Sequence, residues 1–284
     1  MANFKPIHEK KPLEKPDWSA LFAEALLTPG RMSEAYSVFH DYSIGNMWLA
    51  SWQLATRNLP CSPIASYKRW QELGRQVKKG EKAIALYMPI TGKRHKTEGD
   101  GDDEDKEERF TFFALKHHWF SLDQTEGEPY VKEVAIPEWD RAQALSRLEI
   151  EEIAFEKLNG NWQGVAYPVK KQLAINPMAA MPWKTTFHEM AHCLLHGAET
   201  RLEDGSCLIE KHIRECEAES VAYLCCATLG LPGLEESRGY IQDWLKHGSQ
   251  AEEFAKKSAS RVFSAANKIL KAGCKAESNE VPDE

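Results

Sequence analysis

The chain has 284 residues, of which 42% are hydrophobic and 10% aromatic, enough for packed cores and long enough for two domains. Its formal net charge of −7 argues against a protein that coats nucleic acid over its whole surface. No apolar run approaches the ~20 residues that span a bilayer, and the first residues lack a signal-peptide core, so no membrane partner is expected. Seven cysteines, with Cys225 next to Cys226 and no CxxC, read as reduced thiols in a cytoplasmic protein.

Residues 1–16 are rich in Lys and Pro and are expected to be loose. Helices are expected near 17–28, 33–58 and 66–77. Trp48 and Trp52, four apart in an apolar segment, read as core. A basic stretch follows, in which Lys68, Arg69, Arg75, Lys78, Lys79 and Lys82 interleave with Tyr67 and Trp70. Cations can track phosphates while aromatic faces stack on bases, so this mixture can bind single-stranded nucleic acid. A plainer reading competes with it: a solvated charged face, with Trp70, Leu73 and Val77 as the core of a helix.

Gly80 marks a turn into a strand at 83–90, and further strands cover about 109–123. Between them lies Gly99-Asp100-Gly101-Asp102-Asp103-Glu104-Asp105-Lys106-Glu107-Glu108, too polar to fold. It reads as a mobile insertion between two strands of one sheet. Residues 124–136 read as a connector broken by Gly127 and Pro129, with a second domain from about Pro137. There a helix is expected at 138–158 and short strands near 163–167 and 172–175. Three helices follow, from Trp183, at about 208–229 and at about 250–271. A polar tail follows Cys274, and no internal repeat is visible.

The sharpest chemical signal is His188-Glu189-Met190-Ala191-His192, an HExxH motif. Residues four apart share one helix face, so His188 and His192 can hold one metal ion, and Glu189 stands beside them as general base. Phe187, Ala191, Leu194 and Leu195 give the segment a buried face, and Gly197 is a plausible stop. A catalytic zinc site takes three protein ligands and keeps one position open for water. The third is sought in Arg214–Leu224, where Glu215, Glu219, Ala222 and Cys226 share a face. Glu219 is the residue chosen, because Ala222 one turn on is small enough to let the helices approach. Glu215 is the alternative on the same face, and Glu217 points elsewhere. In such a site zinc would activate a water, and Glu189 would take its proton and pass it to the leaving amine. Tyr223, His196 and His212 are near enough in sequence to stabilise an oxyanion, but nothing picks among them, and the two histidines read as ordinary surface residues. Cys193, Cys216, Cys225 and Cys226 read as small core residues.

Several of these pieces occur together in one order. Tyr42-Ser43-Ile44-Gly45-Asn46, Trp70–Lys82 and Phe120–Gly127 lie in the first half, and Lys184–His192 and Glu217–Tyr223 in the second. In them the chain resembles the ArdC-type antirestriction proteins of plasmids and other mobile elements, over about residues 17–247. The resemblance implies an N-terminal single-stranded-DNA-binding domain and a C-terminal zincin-like metallopeptidase domain. The family role is to protect incoming DNA from host restriction. It also supports Glu219, which falls at the glutamate of the family's E-x-x-A pattern.

The expectation is therefore an α+β protein of two domains. Residues 17–130 form an α/β domain that binds single-stranded DNA through Lys68, Arg69, Trp70, Arg75, Lys78, Lys79 and Lys82, with an acidic insertion at about 95–109. Residues 137–272 form a mainly helical domain with one zinc ion on His188, His192 and Glu219, and Glu189 as the catalytic residue. Its substrate would be a protein not identified by the sequence. The other functional reading is a regulatory zinc peptidase that cleaves a repressor or other host protein, with the N-terminal domain for targeting.

Overall fold

The apolar segment from Trp18 to Thr56 folds as three helices, α1 (Trp18–Leu27), α2 (Pro29–Phe39) and α3 (Ile44–Thr56). The single helix expected over 33–58 is interrupted because Ser43 caps a new one, its side chain accepting from the Asn46 backbone N–H. This is a computed structural model, and it describes residues 17–27, 29–94, 108–131, 138–157, 161–200, 202, 206–234 and 249–274. The loose N-terminus expected at 1–16, most of the acidic insertion, the expected domain start at Pro137 and the polar tail lie outside the described residues.

A three-stranded antiparallel sheet follows, in the order β1 (Ile64–Ser66), β4 (Glu108–Ser121), β3 (Ile84–Arg94). Strands β3 and β4 pair from Ile84↔Trp119 to Arg94↔Glu108, so the acidic segment does join two neighbouring strands of one sheet. Strand β3 is an edge, and α3 covers it with two amide side chains. Asn46 accepts from the Tyr87 N–H and donates to the Tyr87 carbonyl, each at 2.9 Å. Gln53, two turns on, makes the same pair of bonds with Ala85 at 3.0 and 2.8 Å. The amides satisfy edge groups that would otherwise invite another strand.

The helix expected at 66–77 stops early. Helix α4 (Tyr67–Glu72) ends at Gly74, whose φ of 71° reverses the chain into β2 (Arg75–Val77). Strand β2 pairs with β5 (Thr125–Gly127), which falls inside the expected connector. The helix expected at 138–158 also shortens, to α5 (Arg141–Arg147), because Glu149 turns left-handed at φ 56° and leads into β6 (Glu151–Glu152). A second small sheet has the order β6, β8 (Gln172–Ile175), β7 (Gly164–Tyr167), which leaves β7 at an edge.

Three helices complete the fold: α6 (Pro182–Leu195), α7 (Lys211–Leu229) and α8 (Ser249–Gly273). Every residue of α7 from Cys216 to Thr228 is buried, because α2, α6 and α8 all pack on it. Its small side chains, Ala218, Ala222, Cys225, Cys226 and Ala227, let neighbours approach from all sides. One apolar cluster runs from Leu21 and Trp48 through Phe187 to Val262, so the first three helices share a core with the last three. Trp139 ties the end of α8 to α6: its ring lies against Gly273 and 5.0 Å from the Phe187 ring. The architecture is α+β. Among the described residues no helix is long and apolar enough to cross a membrane.

Candidate metal centre and cleft

Helix α6 opens on Pro182 and buries Phe187, Met190 and Ala191, which turns His188 and His192 together toward α7. Their Nε2 atoms lie 3.1 Å apart. The Glu215 carboxylate closes a triangle, with Oε2 at 3.4 Å from His188 Nε2 and 3.6 Å from His192 Nε2. Metal–ligand bonds of about 2.0–2.2 Å in tetrahedral geometry put donors about 3.3–3.5 Å apart. The three donor atoms therefore fit one divalent ion, and among the described residues they form the metal-type cluster.

Glu219, the expected third ligand, stands elsewhere. Its Oε2 lies 3.1 Å from His188 Nδ1, the ring nitrogen on the far side from the triangle, and its Oε1 is 2.7 Å from Lys184 Nζ. The expectation is corrected on this point: one helical turn along α7 separates a carboxylate facing both Nε2 atoms from one that holds a single ring from behind. A carboxylate on the outer nitrogen fixes the tautomer and orientation of a ligand histidine.

The local charges are strongly coupled. Burial alone would lower the His188 pKa, but hydrogen bonds with Glu215 and Glu219 outweigh it, and the value is raised to about 9. Burial raises the Glu189 carboxyl to about 7, with His188 opposing and Glu215 adding to the shift. Hydrogen bonds with His188 and His192 hold Glu215 well below the usual carboxylate range. Burial lowers His192.

A cleft of about 610 Å³ opens over His188 and Glu189, lined also by Trp162, Gly164, Lys184 and Thr185. Gly164, the first residue of edge strand β7, packs so tightly on α6 that a Cβ there would sit 2.9 Å from Glu189 Oε1 and 2.7 Å from Thr185 Cγ2. Of the groups considered for an oxyanion, Tyr223 and His196 are fully buried, and His212 pairs with Glu210 at 3.2 Å. Lys184 also lines the cleft, where it pairs with Glu219.

Sequence reasoning missed a second layer behind the histidines. His196, read as a surface residue, is 0% exposed. Its Nδ1 lies 2.9 Å from His192 Nδ1, and its Nε2 lies 3.0 Å from Glu217 Oε2. Glu217 is 2% exposed, and its other oxygen lies 3.4 Å from Arg261 Nε on α8. The available signal was the small, apolar character of α7 on every face, which leaves its carboxylates inside.

The expected DNA-contacting residues fare unequally. Lys68, Arg69, Lys78, Lys79 and Lys82 are exposed. Lys68 and Arg69 make surface pairs with Glu72, and Lys78 Nζ donates to the Asp123 carbonyl. Arg75 is committed inward, with Nε donating to Thr125 Oγ1 at 2.8 Å and Nη1 to the Glu128 carbonyl. Trp70 is corrected: it is 1% exposed, and its indole N–H donates to the Phe120 carbonyl at 2.8 Å, so its faces cannot stack on a base. Among the described residues of this half, Tyr67, Phe112 and Phe113 are the exposed large aromatics.

Fold and site thus define an α+β protein whose helical half builds a candidate divalent-metal centre under a cleft. Residues 9–120 match the family model for the N-terminal domain of anti-restriction factor ArdC. The fold is that of the antirestriction ArdC protein from plasmid R388. Its metal-free crystal structure aligns at TM-score 0.50 and 18% identity, over 91% of this chain and 96% of that one. Its Mn(II)-bound structure aligns at 0.50 and 16% identity, over 91% and 98%. The likeness to ArdC thus rests on the N-terminal domain model for residues 9–120 and on the fold for the chain as a whole. The chain is also similar to the uncharacterized protein pXO2-81 of Bacillus anthracis, 25% identical over 82% of this chain, and spans 45% of that protein's length. The uncharacterized protein y4eC of Sinorhizobium fredii is 23% identical over 86% of this chain and 79% of its own length.

Proposed function

We propose that this chain protects incoming mobile DNA from host restriction, joining single-stranded-DNA binding in its first half to a zinc-dependent peptidase site in its second. The observation that carries the enzymatic part is the donor triangle of His188, His192 and Glu215, with Glu189 beside it at the base of an open cleft. Two imidazole nitrogens and one carboxylate oxygen suit zinc, with the fourth position left for water. A bound zinc ion would act as a Lewis acid and lower the pKa of its water.

The chain's own residues supply the rest. Glu189, raised to about 7 by burial, can accept a proton near neutral pH and return it to a leaving amine. Lys184 offers positive charge where a carbonyl oxygen would become negative. Edge strand β7 borders the cleft, so an extended peptide could add along it, and Trp162, half exposed there, offers an apolar contact.

The DNA-binding part is supported by the match to the ArdC N-terminal domain and by the exposed cations Lys68, Arg69, Lys78, Lys79 and Lys82. With Trp70 buried, Tyr67 is the stacking face nearest to them in the chain, at 41% exposed. The deciding experiment is plasmid entry into a restricting host, comparing wild type with Glu189→Gln at equal expression. Protection by wild type alone supports a role for the peptidase site. Equal protection by both would make DNA binding the effector and refute the hydrolytic part.

A further inference from the structure

The buried pair His196 and Glu217 lies outside the donor triangle and the cleft, yet touches the triangle directly through His192. A carboxylate 2% exposed must be held by hydrogen bonds or opposite charge, and Glu217 has both His196 and Arg261. Arg261 also donates from Nη2 to the Leu195 carbonyl at 2.8 Å, which fixes it to the end of α6. The path from His192 through His196 and Glu217 to Arg261 therefore ties together α6, α7 and α8.

We infer that His196 and Glu217 are positioning residues that set the tautomer of His192 and so make its Nε2 available to a metal ion. Proton counting leads to this. With both rings neutral, each has one N–H. The contact between His192 Nδ1 and His196 Nδ1 needs one proton, and the contact between His196 Nε2 and the Glu217 carboxylate needs another. His196 donates from Nε2 to Glu217, since a carboxylate can only accept. Its Nδ1 is then an acceptor, and His192 must donate from Nδ1. That leaves the lone pair of His192 on Nε2, the atom that faces His188 and Glu215. The opposite tautomer would put a proton on His192 Nε2 and leave two bare nitrogens facing each other at 2.9 Å. Glu219 serves His188 from its Nδ1 side, so each histidine ends in a buried carboxylate, directly for His188 and through a second imidazole for His192.

The inference rests on the reading of His188, His192 and Glu215 as a metal centre. The test is Zn(II) affinity of the full chain, measured by competition with a chromophoric chelator, alongside the melting temperature of each metal-free variant. His196→Leu removes the acceptor and is expected to weaken Zn(II) binding by roughly 10- to 100-fold. His196→Asn places an amide oxygen where Nδ1 stood and is expected to stay within a few-fold of wild type. Glu217→Gln keeps the volume and removes the charge that orients His196, and a loss of roughly tenfold is expected; it serves if His196→Leu does not fold. Equal affinity in wild type and the folded variants would overturn the inference, as would equal losses in His196→Leu and His196→Asn. Failure of wild type to bind Zn(II) would instead overturn the metal-centre reading, and the inference with it.

Discussion

Gly164→Ala probes how closely β7 is fitted against the helix that carries Glu189. The added Cβ would lie 2.7 Å from Thr185 Cγ2, 2.9 Å from Glu189 Oε1 and 3.0 Å from Glu189 Cγ. Ordinary carbon contacts are about 3.5–4.0 Å, so something must move by half an ångström or more. Thr185 is short and β-branched and cannot swing clear without leaving its rotamer. The release is therefore a shift of β7 away from α6 or a swing of the Glu189 side chain. Overpacking of this kind costs about 1–3 kcal/mol. At roughly 2–4 °C per kcal/mol for a chain of this size, the melting temperature should fall by roughly 2–12 °C. Gly30→Ala is the internal control, since a Cβ there meets nothing within 4 Å. It should be neutral or stabilise by up to about 1 kcal/mol. Differential scanning fluorimetry on both variants decides the matter. Equal melting of Gly164→Ala and Gly30→Ala would refute the close packing of β7 on Glu189.

Three other outcomes are expected. Trp70→Ala should destabilise the protein by about 3–5 kcal/mol in urea unfolding, since it removes a 1%-exposed indole bonded to Phe120; a stable variant that loses only DNA affinity would restore Trp70 to the DNA surface. The double variant Lys78→Glu/Lys79→Glu should weaken single-stranded-DNA binding and flatten its salt dependence by roughly one log unit of slope for each phosphate left without a cation, and an unchanged salt titration would exclude that surface. Because His188 has its pKa raised to about 9, metal must displace a proton from it below that pH. Apparent metal affinity should therefore rise with pH, by about tenfold per unit between pH 6 and 8, and a flat profile would contradict the protonated ring.

The legible parts of this protein were the local ones. His188 and His192 are one helical turn apart, and their common face follows from helix geometry alone. The choice between Glu215 and Glu219 does not, because both lie on the same face of α7. Which one meets the Nε2 atoms depends on how far α7 has slid along α6, and that is set by packing. The same holds for His196 and Glu217. Each is polar and reads as solvated until α2, α6 and α8 close around α7. Trp70 shows the reverse case: helical spacing with Leu73 and Val77 already offered a core reading, and burial under Phe120 and Tyr130 is what the structure adds. The left-handed turn at Glu149 carried no Gly or Pro to announce it, so a helix was expected to run on through it.

The most direct measurement is the metal content of the purified full chain, compared among wild type, Glu215→Ala and Glu219→Ala after loading with Zn(II) and desalting. One equivalent is expected in wild type, little in Glu215→Ala, and a retained but more weakly held ion in Glu219→Ala. A full equivalent in Glu215→Ala, with none in Glu219→Ala, would contradict the donor triangle and return the third position to Glu219.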